Sequence, residues 1–334
     1  MHLEEKLPQL VNAIEDGLKG YLSAVDFGHS AELGRMLRYH MGWEDGLGGG
    51  KRLRPALTLL CAGACGGEVA AAMPAALGVE FVHNFTLIHD DIQDGSPMRH
   101  GRPTVWTRWG VAQAVNAGDA LFSIAQLALL ELRQTCSEAV ALWAAREMNQ
   151  VCLRLIRGQY LDMAFEGDDE VALETYLAMI EGKTAGLIAF CTAVGGMAAG
   201  AAAETVTRLG DFGRHLGMAF QIQDDYLGIW GDPAVTGKSA ASDLLARKKS
   251  LPVLFGLRES ADFRALWGVE QPTQAQIDDM ADQLAACGAA EYVRQQAETF
   301  TQQAFADLER LFPRPNADAQ ALGALTENLV HRQV

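Results

Sequence analysis

The stretch Leu87-Ile88-His89-Asp90-Asp91-Ile92-Gln93-Asp94 runs from an apolar segment into three carboxylates spaced D-D-x-x-D. On a helix Asp90 and Asp94 are four apart and share a face, with Asp91 beside them, so the three can hold hard divalent cations through oxygen. A second acidic pair, Asp224-Asp225, follows a similar run, Phe220-Gln221-Ile222-Gln223. Two such clusters on two helices, facing one another across a cavity, would hold several Mg²⁺ ions and, through them, a diphosphate.

The rest of the chain supports a helical reading. Ala, Leu, Gln, Glu and Met recur through nearly every segment, whereas alternating Val/Ile/Thr runs are hard to find, so the chain is expected to be all-α. Its 334 residues are 49% hydrophobic, enough for a sizeable core, and one domain over residues 1–334 is expected. Leu7, Leu10, Val11, Ile14, Leu18 and Leu22 form an apolar stripe at spacings of three and four. A long helix is expected from about Pro74 to the acidic motif, with others over residues 110–133 and 138–163, a tightly packed Ala/Gly-rich one over 185–203, and amphipathic ones over 274–284 and 292–312. The net charge of −15 argues against nucleic acid or an anionic membrane as the main partner. The six cysteines contain no C-x-x-C pair, which suits a reduced, cytoplasmic protein. No leader and no membrane-spanning segment are expected from the N-terminus or the apolar runs.

An acidic chain that binds a polyanion must do so locally, with metal ions and a few placed cations. Gly46–Gly50 is a glycine-dense loop that opens Lys51-Arg52-Leu53-Arg54-Pro55, so Lys51 and Arg54 stand three apart on the first turn of the next helix, whose dipole also favours phosphate. Ser96-Pro97-Met98-Arg99-His100-Gly101-Arg102-Pro103-Thr104 brings cations directly after the first carboxylates. Lys183-Thr184 falls among small residues where a helix break would expose the lysine, and the turn-rich stretch from Gly231 to Lys249 reads as a surface loop or a cationic lid.

Taken together, these motifs resemble the trans-isoprenyl diphosphate synthases, or polyprenyl synthetases, over about residues 45–255, and among them most the geranylgeranyl diphosphate synthases. The match comprises Gly50-Lys51 with Arg54-Pro55, His83 with Asp90-Asp91-x-x-Asp94, Arg99 with Gly101-x-Pro103-Thr104, Gly118-Asp119, Gly158-Gln159 with Asp162, Lys183-Thr184, Phe220-Gln221 with Asp224-Asp225, Thr236-Gly237-Lys238, and Asp243 with Lys248. The resemblance implies the all-helical terpenoid-synthase (isoprenoid synthase) bundle around a central cavity, a homodimer, and three Mg²⁺ per active site. It implies metal ligands at Asp90, Asp91, Asp94, Asp224 and Asp225, catalytic roles for the first four of these with Lys183 and Lys238, and substrate contacts from Lys51, Arg54, His83, Arg99, His100, Lys183, Thr184, Gln221, Lys238 and Lys248.

The chemistry agrees with these residue types. An allylic diphosphate must lose pyrophosphate to leave a carbocation, and Mg²⁺ with Lys183, Lys238 and Arg99 would stabilise the charge growing on the leaving group. Isopentenyl diphosphate needs its own anion site, for which Lys51, Arg54 and His83 are the candidates, acting by proximity. No protein nucleophile is required. A class I terpene cyclase would not need that second anion site, and a regulatory subunit would be expected to lose the first acidic motif. The expected reaction is therefore head-to-tail condensation of isopentenyl diphosphate with dimethylallyl, geranyl or farnesyl diphosphate. In the family an aromatic at Phe85, five before Asp90, is associated with geranylgeranyl diphosphate, with farnesyl diphosphate the second choice; Phe81 and Met73 are rival floor residues for the growing chain.

The chain departs from the family pattern in places. Gly228 stands where the second acidic motif usually has a third Asp, and His100 where a second Arg usually follows Arg99. Only protonated His100 would pair with a diphosphate as Arg does, so the Michaelis constant for isopentenyl diphosphate is expected to rise between pH 6 and 8. Trp106 and Ser239 replace a frequent His and Pro and are expected to be tolerated.

Overall fold

The computed structural model describes residues 3–44, 50–168, 170–232 and 241–330. Among them helices dominate, and the only strands form one short hairpin, β1 (Met98–Arg99) and β2 (Arg102–Pro103). The chain divides into two compact units, one of residues 1–148, 191–206 and 314–322, the other of 149–190, 207–313 and 323–334.

The first unit is built on α4 (Met73–Gln93). Pro74 stands in its first turn, where a missing N–H is harmless, and the helix reaches the acidic motif without a break, as the sequence predicts. Around it pack α1 (Leu3–Ala24), α3 (Leu53–Ala64) and α6 (Val111–Leu130). The α1 stripe buries Leu10, Ile14, Leu18 and Leu22, each one turn from the last. The α4 and α6 axes come close because each carries a glycine at the contact. A Cβ at Gly78 would lie 2.8 Å from Leu129 Cγ, and one at Gly118 would run into the His89 ring. Helix α2 (Ala31–His40), the short α5 (Val105–Trp109), α7 (Leu132–Thr135) and the hairpin also belong to this unit, with parts of the later helices over residues 138–148, 191–206 and 314–322.

The second unit includes the C-terminal part of α8 (Glu138–Phe165), α9 (Leu173–Ile180), a five-residue π turn (Glu181–Ala185) and most of α11 (Ala203–Trp230). Gly186–Ala198 is α10, where the Ala/Gly-rich helix is expected, and it stops at Gly200, whose φ of 73° a side chain would resist. Beyond follow α12 (Ser242–Leu245), α13 (Leu251–Glu259), α14 (Ala261–Trp267), α15 (Gln274–Ala286), α16 (Ala289–Leu311) and α17 (Ala317–Val330). Tyr176, Ile180, Met218, Ile222, Leu251 and Val293 form one core cluster of this unit.

Three stretches, Val69–Gln93, Val111–Thr135 and Leu173–Ala198, are long and apolar enough to cross a membrane by length and composition. The first has 72% of its apolar window buried, because a central helix of a bundle must be apolar on most of its circumference.

Candidate functional site

In the first unit, the D-D-x-x-D motif separates into two functions. Asp90 is half-buried and Asp94, at the C-terminal end of α4, is exposed, but Asp91 is only 2% exposed. Asp91 Oδ1 accepts from Arg99 Nε at 2.9 Å and lies 2.8 Å from Arg99 Nη2, while its Oδ2 is buried without a partner. Burial holds its carboxyl above the usual range, with Arg99 working against that. Adjacent helical residues diverge by about 100°. The same doublet therefore sends one acid outward and one inward. Asp91, expected as a metal ligand, is paired in this structure with Arg99.

Arg99 is placed by the hairpin, in which Met98 pairs with Pro103 and Arg99 with Arg102. His100 and Gly101 make its turn, both at positive φ (49° and 74°). Trp106 takes part in holding this loop: its Nε1 donates to Ser96 O at 2.9 Å, alongside the Thr104 hydroxyl at 3.0 Å.

Beside it lies a recess lined by His40, Arg52, Glu80, His83, Arg99, His100 and Arg102 among others. His83 is one of its expected residues. Arg54 Nη1 lies 3.2 Å from His83 Nε2, and since a guanidinium only donates, that nitrogen accepts. Burial first, then Arg54, hold the His83 imidazole neutral. Lys51 is exposed and does not line the recess. His100 is displaced from its ordinary value in the direction that disfavours charge, by partial burial and by Arg99 and Arg102. The pH response expected from the sequence is therefore moved to lower pH.

Sequence reasoning assigned no role to Arg52, Arg102, Glu80 or His40. Arg52 begins α3 in the left-handed region (φ 49°) and is buried between Glu15 at 2.7 Å and Glu80 at 2.6 Å, and Glu80 also accepts from Asn84 at 3.0 Å. Arg102 donates to Tyr39 O at 2.9 Å. Both arginines stood in view within Lys51–Pro55 and Arg99–Pro103, but nothing in a basic run distinguishes a guanidinium turned to substrate from one turned to scaffold.

In the second unit the Asp224-Asp225 doublet divides in the same way. Asp224 is half-buried, while Asp225 is 1% exposed and accepts from the Tyr176 hydroxyl, from Gln221 Nε2 at 3.1 Å and from Leu251 N at 3.2 Å. Burial pushes its carboxyl up to about 6 against the pull of Lys248. Thr184 Oγ1 donates to Gln221 Oε1 at 2.9 Å, so Thr184 and Gln221 are links of a chain that ends on Asp225. Asp225, expected as a metal ligand, is an internal acceptor in this structure, and Thr184 and Gln221, expected as substrate contacts, hydrogen-bond in line with it.

Lys183 stands in the π turn, where the expected helix irregularity occurs. Glycines crowd this turn: a Cβ at Gly158 would lie 2.6 Å from Lys183 N, one at Gly182 2.7 Å from Arg154 O, and one at Gly217 2.5 Å from Ala185 Cα. Lys183 Nζ is held by Asp162 Oδ2 at 2.5 Å. Lys248 is partly buried, which opposes its charge, but Asp225, Asp243, Asp162 and Asp224 together raise its pKa. Thr236, Gly237, Lys238 and Ser239 lie outside the described residues.

The consequence of Gly228 is visible. A Cβ at position 228 would come 2.5 Å from Asp243 Cγ, so the carboxylate of Asp243, from α12, stands over the space where a third motif side chain would begin. The acid missing from α11 has its place taken by one from a different helix.

Among the described residues no group of three or more His, Cys, Asp or Glu is assembled as a metal cage. Mg²⁺ does not require one, since it commonly binds through one or two carboxylates plus waters and substrate phosphates. Asp90 and Asp94 in one unit and Asp224 in the other are carboxylates not withdrawn into the interior, and such all-oxygen donors fit this ion.

A helical enzyme with aspartate doublets on two helices and an arginine- and histidine-lined recess is of the class that handles diphosphate esters. Comparison with known proteins narrows this: the polyprenyl synthetase family matches residues 36–284, and the chain belongs to that family. It is 45% identical over 236 residues to a geranylgeranyl diphosphate synthase of Mycobacterium tuberculosis, covering 69% of this chain and 67% of that protein. It is 44% identical over 260 residues to a (2E,6E)-farnesyl diphosphate synthase of Mycobacterium bovis, covering 75% and 71% respectively. A polyprenyl synthetase of Streptomyces coelicolor has the same fold, with a TM-score of 0.86, 33% identity and 98% of each chain covered. The protein is a trans-prenyltransferase acting on isoprenoid diphosphates, with the expected isoprenoid synthase fold.

Two outcomes are expected. Gly228→Asp forces its side chain into Asp243 and lowers stability by about 1–3 kcal/mol, read as a fall in melting temperature; an unchanged melting temperature would mean that Asp243 moves aside without cost. The kcat/KM for isopentenyl diphosphate is expected to be flat from pH 7 to 8 and to rise only as pH falls below 6.5, the ordinary His value, with the rise absent in His100→Arg.

Proposed function

We propose that the chain elongates allylic diphosphates with isopentenyl diphosphate and releases all-trans geranylgeranyl diphosphate. The observation that carries this reading is the continuity, within one unit, of the Asp90/Asp94 pair with the cationic recess, joined by the Asp91–Arg99 ion pair. Asp90 and Asp94 in the first unit, and Asp224 in the second, would each hold Mg²⁺, and the ions, expected to number three, would supply electrostatic stabilisation of the departing pyrophosphate. Arg99, steadied by Asp91, and Lys183, steadied by Asp162, present charges that need no reorganisation at the moment of ionisation. Lys238 and Lys248 add positive charge in the same role. The recess takes the diphosphate of isopentenyl diphosphate, with Arg54 and His83 positioning it and Lys51 at its approach. The released pyrophosphate accepts the proton that closes the cycle.

Product length rests on Phe85, which is buried and meets Phe122 of α6 edge-on at 5.3 Å and His89 at 5.6 Å. Phe81 is fully buried against Tyr21 at 5.9 Å, which favours a core role for it over a floor. Farnesyl diphosphate is the second reading, because the farnesyl-forming relative is nearly as similar as the geranylgeranyl-forming one.

A homodimer is supported by apolar side chains left on the surface of α6 (Val111, Val115, Leu127) and of α8 (Leu153, Ile156, Tyr160), more than scattered exposure would leave. The single-domain reading of residues 1–334 is supported by the chain alternating between the two units several times, which no linker-joined pair would do. A cytoplasmic location, with no segment spanning a membrane, agrees with the unpaired cysteines and with the burial of Val69–Gln93.

Incubation with Mg²⁺, isopentenyl diphosphate and each allylic starter, followed by chromatography of the dephosphorylated products, tests the function. A C20 alcohol is expected; failure to consume isopentenyl diphosphate overturns it. Asp90→Ala and Asp94→Ala are each expected to leave less than a tenth of the wild-type rate at saturating Mg²⁺ with the helical circular-dichroism spectrum intact. Phe85→Ala is expected to lengthen the product by at least one five-carbon unit, and an unchanged distribution would place the floor elsewhere.

A further inference from the structure

Helix α2 ends at His40, and the hairpin is bolted to that end. Arg102 Nη1 donates to Tyr39 O at 2.9 Å and its Nη2 to His40 O at 3.5 Å, while the Tyr39 hydroxyl donates to Pro103 O at 2.7 Å. The guanidinium satisfies carbonyls that a helix C-terminus leaves open and fixes the His40 backbone beside the recess. The His40 ring lines this recess and a smaller neighbouring one that also contains Asp91 and Arg99. Its Nε2 atom is buried and has no hydrogen-bond partner. A buried polar atom without a partner is costly, and a site that binds a ligand is one place where such a cost is carried.

The charges around the ring determine what it can offer. Burial and then Arg99, Arg102, Arg52 and His100 hold its pKa down at about 3, so the ring is neutral. Glu80, Asp91 and His83 also line the two recesses, but Glu80 is engaged by Arg52 and Asn84, Asp91 by Arg99, and His83 by Arg54. A neutral imidazole carries one N–H, and cationic neighbours favour an anion as the group that receives it. Two of the residues that bound the recess, Arg52 and His100, hold left-handed backbone conformations at φ 49°, strain of the kind that collects at binding sites.

We propose that His40, held by Arg102, is a further positioning residue for isopentenyl diphosphate, donating an imidazole N–H to its diphosphate group. The assignment rests on the reading of the recess as the isopentenyl diphosphate site and adds to it a donor on α2, beyond the basic motifs at residues 51–54 and 99–100. It also supplies hydrogen-bonding capacity where His100 replaces an arginine.

Calorimetric titration of the full chain with isopentenyl diphosphate, and separately with inorganic pyrophosphate, would test this, with steady-state kinetics alongside. His40→Phe keeps a ring and loses the N–H; His40→Gln keeps a donor. His40→Phe is expected to weaken isopentenyl diphosphate binding about tenfold and raise its KM in proportion, with kcat and the KM for the allylic substrate within twofold of wild type. His40→Gln is expected to recover at least part of the loss. Pyrophosphate affinity is expected to fall in parallel, because the donor serves the diphosphate group, and unchanged pyrophosphate affinity would overturn that assignment. Affinity within twofold of wild type in His40→Phe, or equal losses in both variants accompanied by a fall in melting temperature, would overturn the assignment. Arg54→Gln separates the two levels of the argument: if it weakens binding and His40→Phe does not, only His40 is misassigned, whereas if neither does, the reading of the recess itself fails.

Discussion

The ion pair between Asp91 and Arg99 is the interaction on which the arrangement of the first unit turns. It joins the end of α4, with the outward acids Asp90 and Asp94, to the hairpin that carries His100 and Arg102. Because the Asp91 carboxylate is almost wholly buried while Arg99 is partly exposed, removing Arg99 would strand a charge in the interior, which generally costs about 3–5 kcal/mol. The Arg99 guanidinium is thereby fixed in place beside the recess. Asp225 has the corresponding position in the second unit, with Tyr176, Gln221 and the Leu251 amide as its partners in place of an arginine. In both doublets one acid is the less buried and its neighbour faces inward to partners of the interior.

Close backbone approach is the second constraint. Gly118 makes room for His89 where α6 passes α4, and Gly158, Gly182 and Gly217 crowd the π turn that presents Lys183. A π turn widens the helix by one residue and offers its side chains at an angle no regular helix provides, which is why such turns occur at functional positions. Gly228 uses the same freedom differently, by admitting the Asp243 carboxylate from another helix. The departure at residue 228 is accompanied by a rearranged neighbour, so the motif cannot be judged by its missing acid alone.

Much of this was legible in the chain itself. Hydrophobic spacing placed α1 and α4 with useful accuracy, and the order of the motifs identified the family before any fold was considered, since carboxylate doublets, basic turns and their spacing are local properties. Arg54 and His83 were identified as partners in one task and lie within hydrogen-bonding distance. What spacing could not resolve was the direction of each side chain. Asp90 and Asp91 are indistinguishable as letters, and so are Arg52 and Arg54.

The sequence by itself determined the helical class, the family and the residue types gathered for diphosphate chemistry, because periodicity, turn residues and motif order are written along the chain. Only the tertiary structure decided that Asp91 and Asp225 serve the interior, that Thr184 and Gln221 support Asp225, that Asp243 stands over Gly228, and that His40 and Arg102 border the recess with His83. Each of those facts depends on which groups meet across elements distant in sequence. Burial and partner choice, which set the charge state and role of a polar side chain, come into being only when those elements pack.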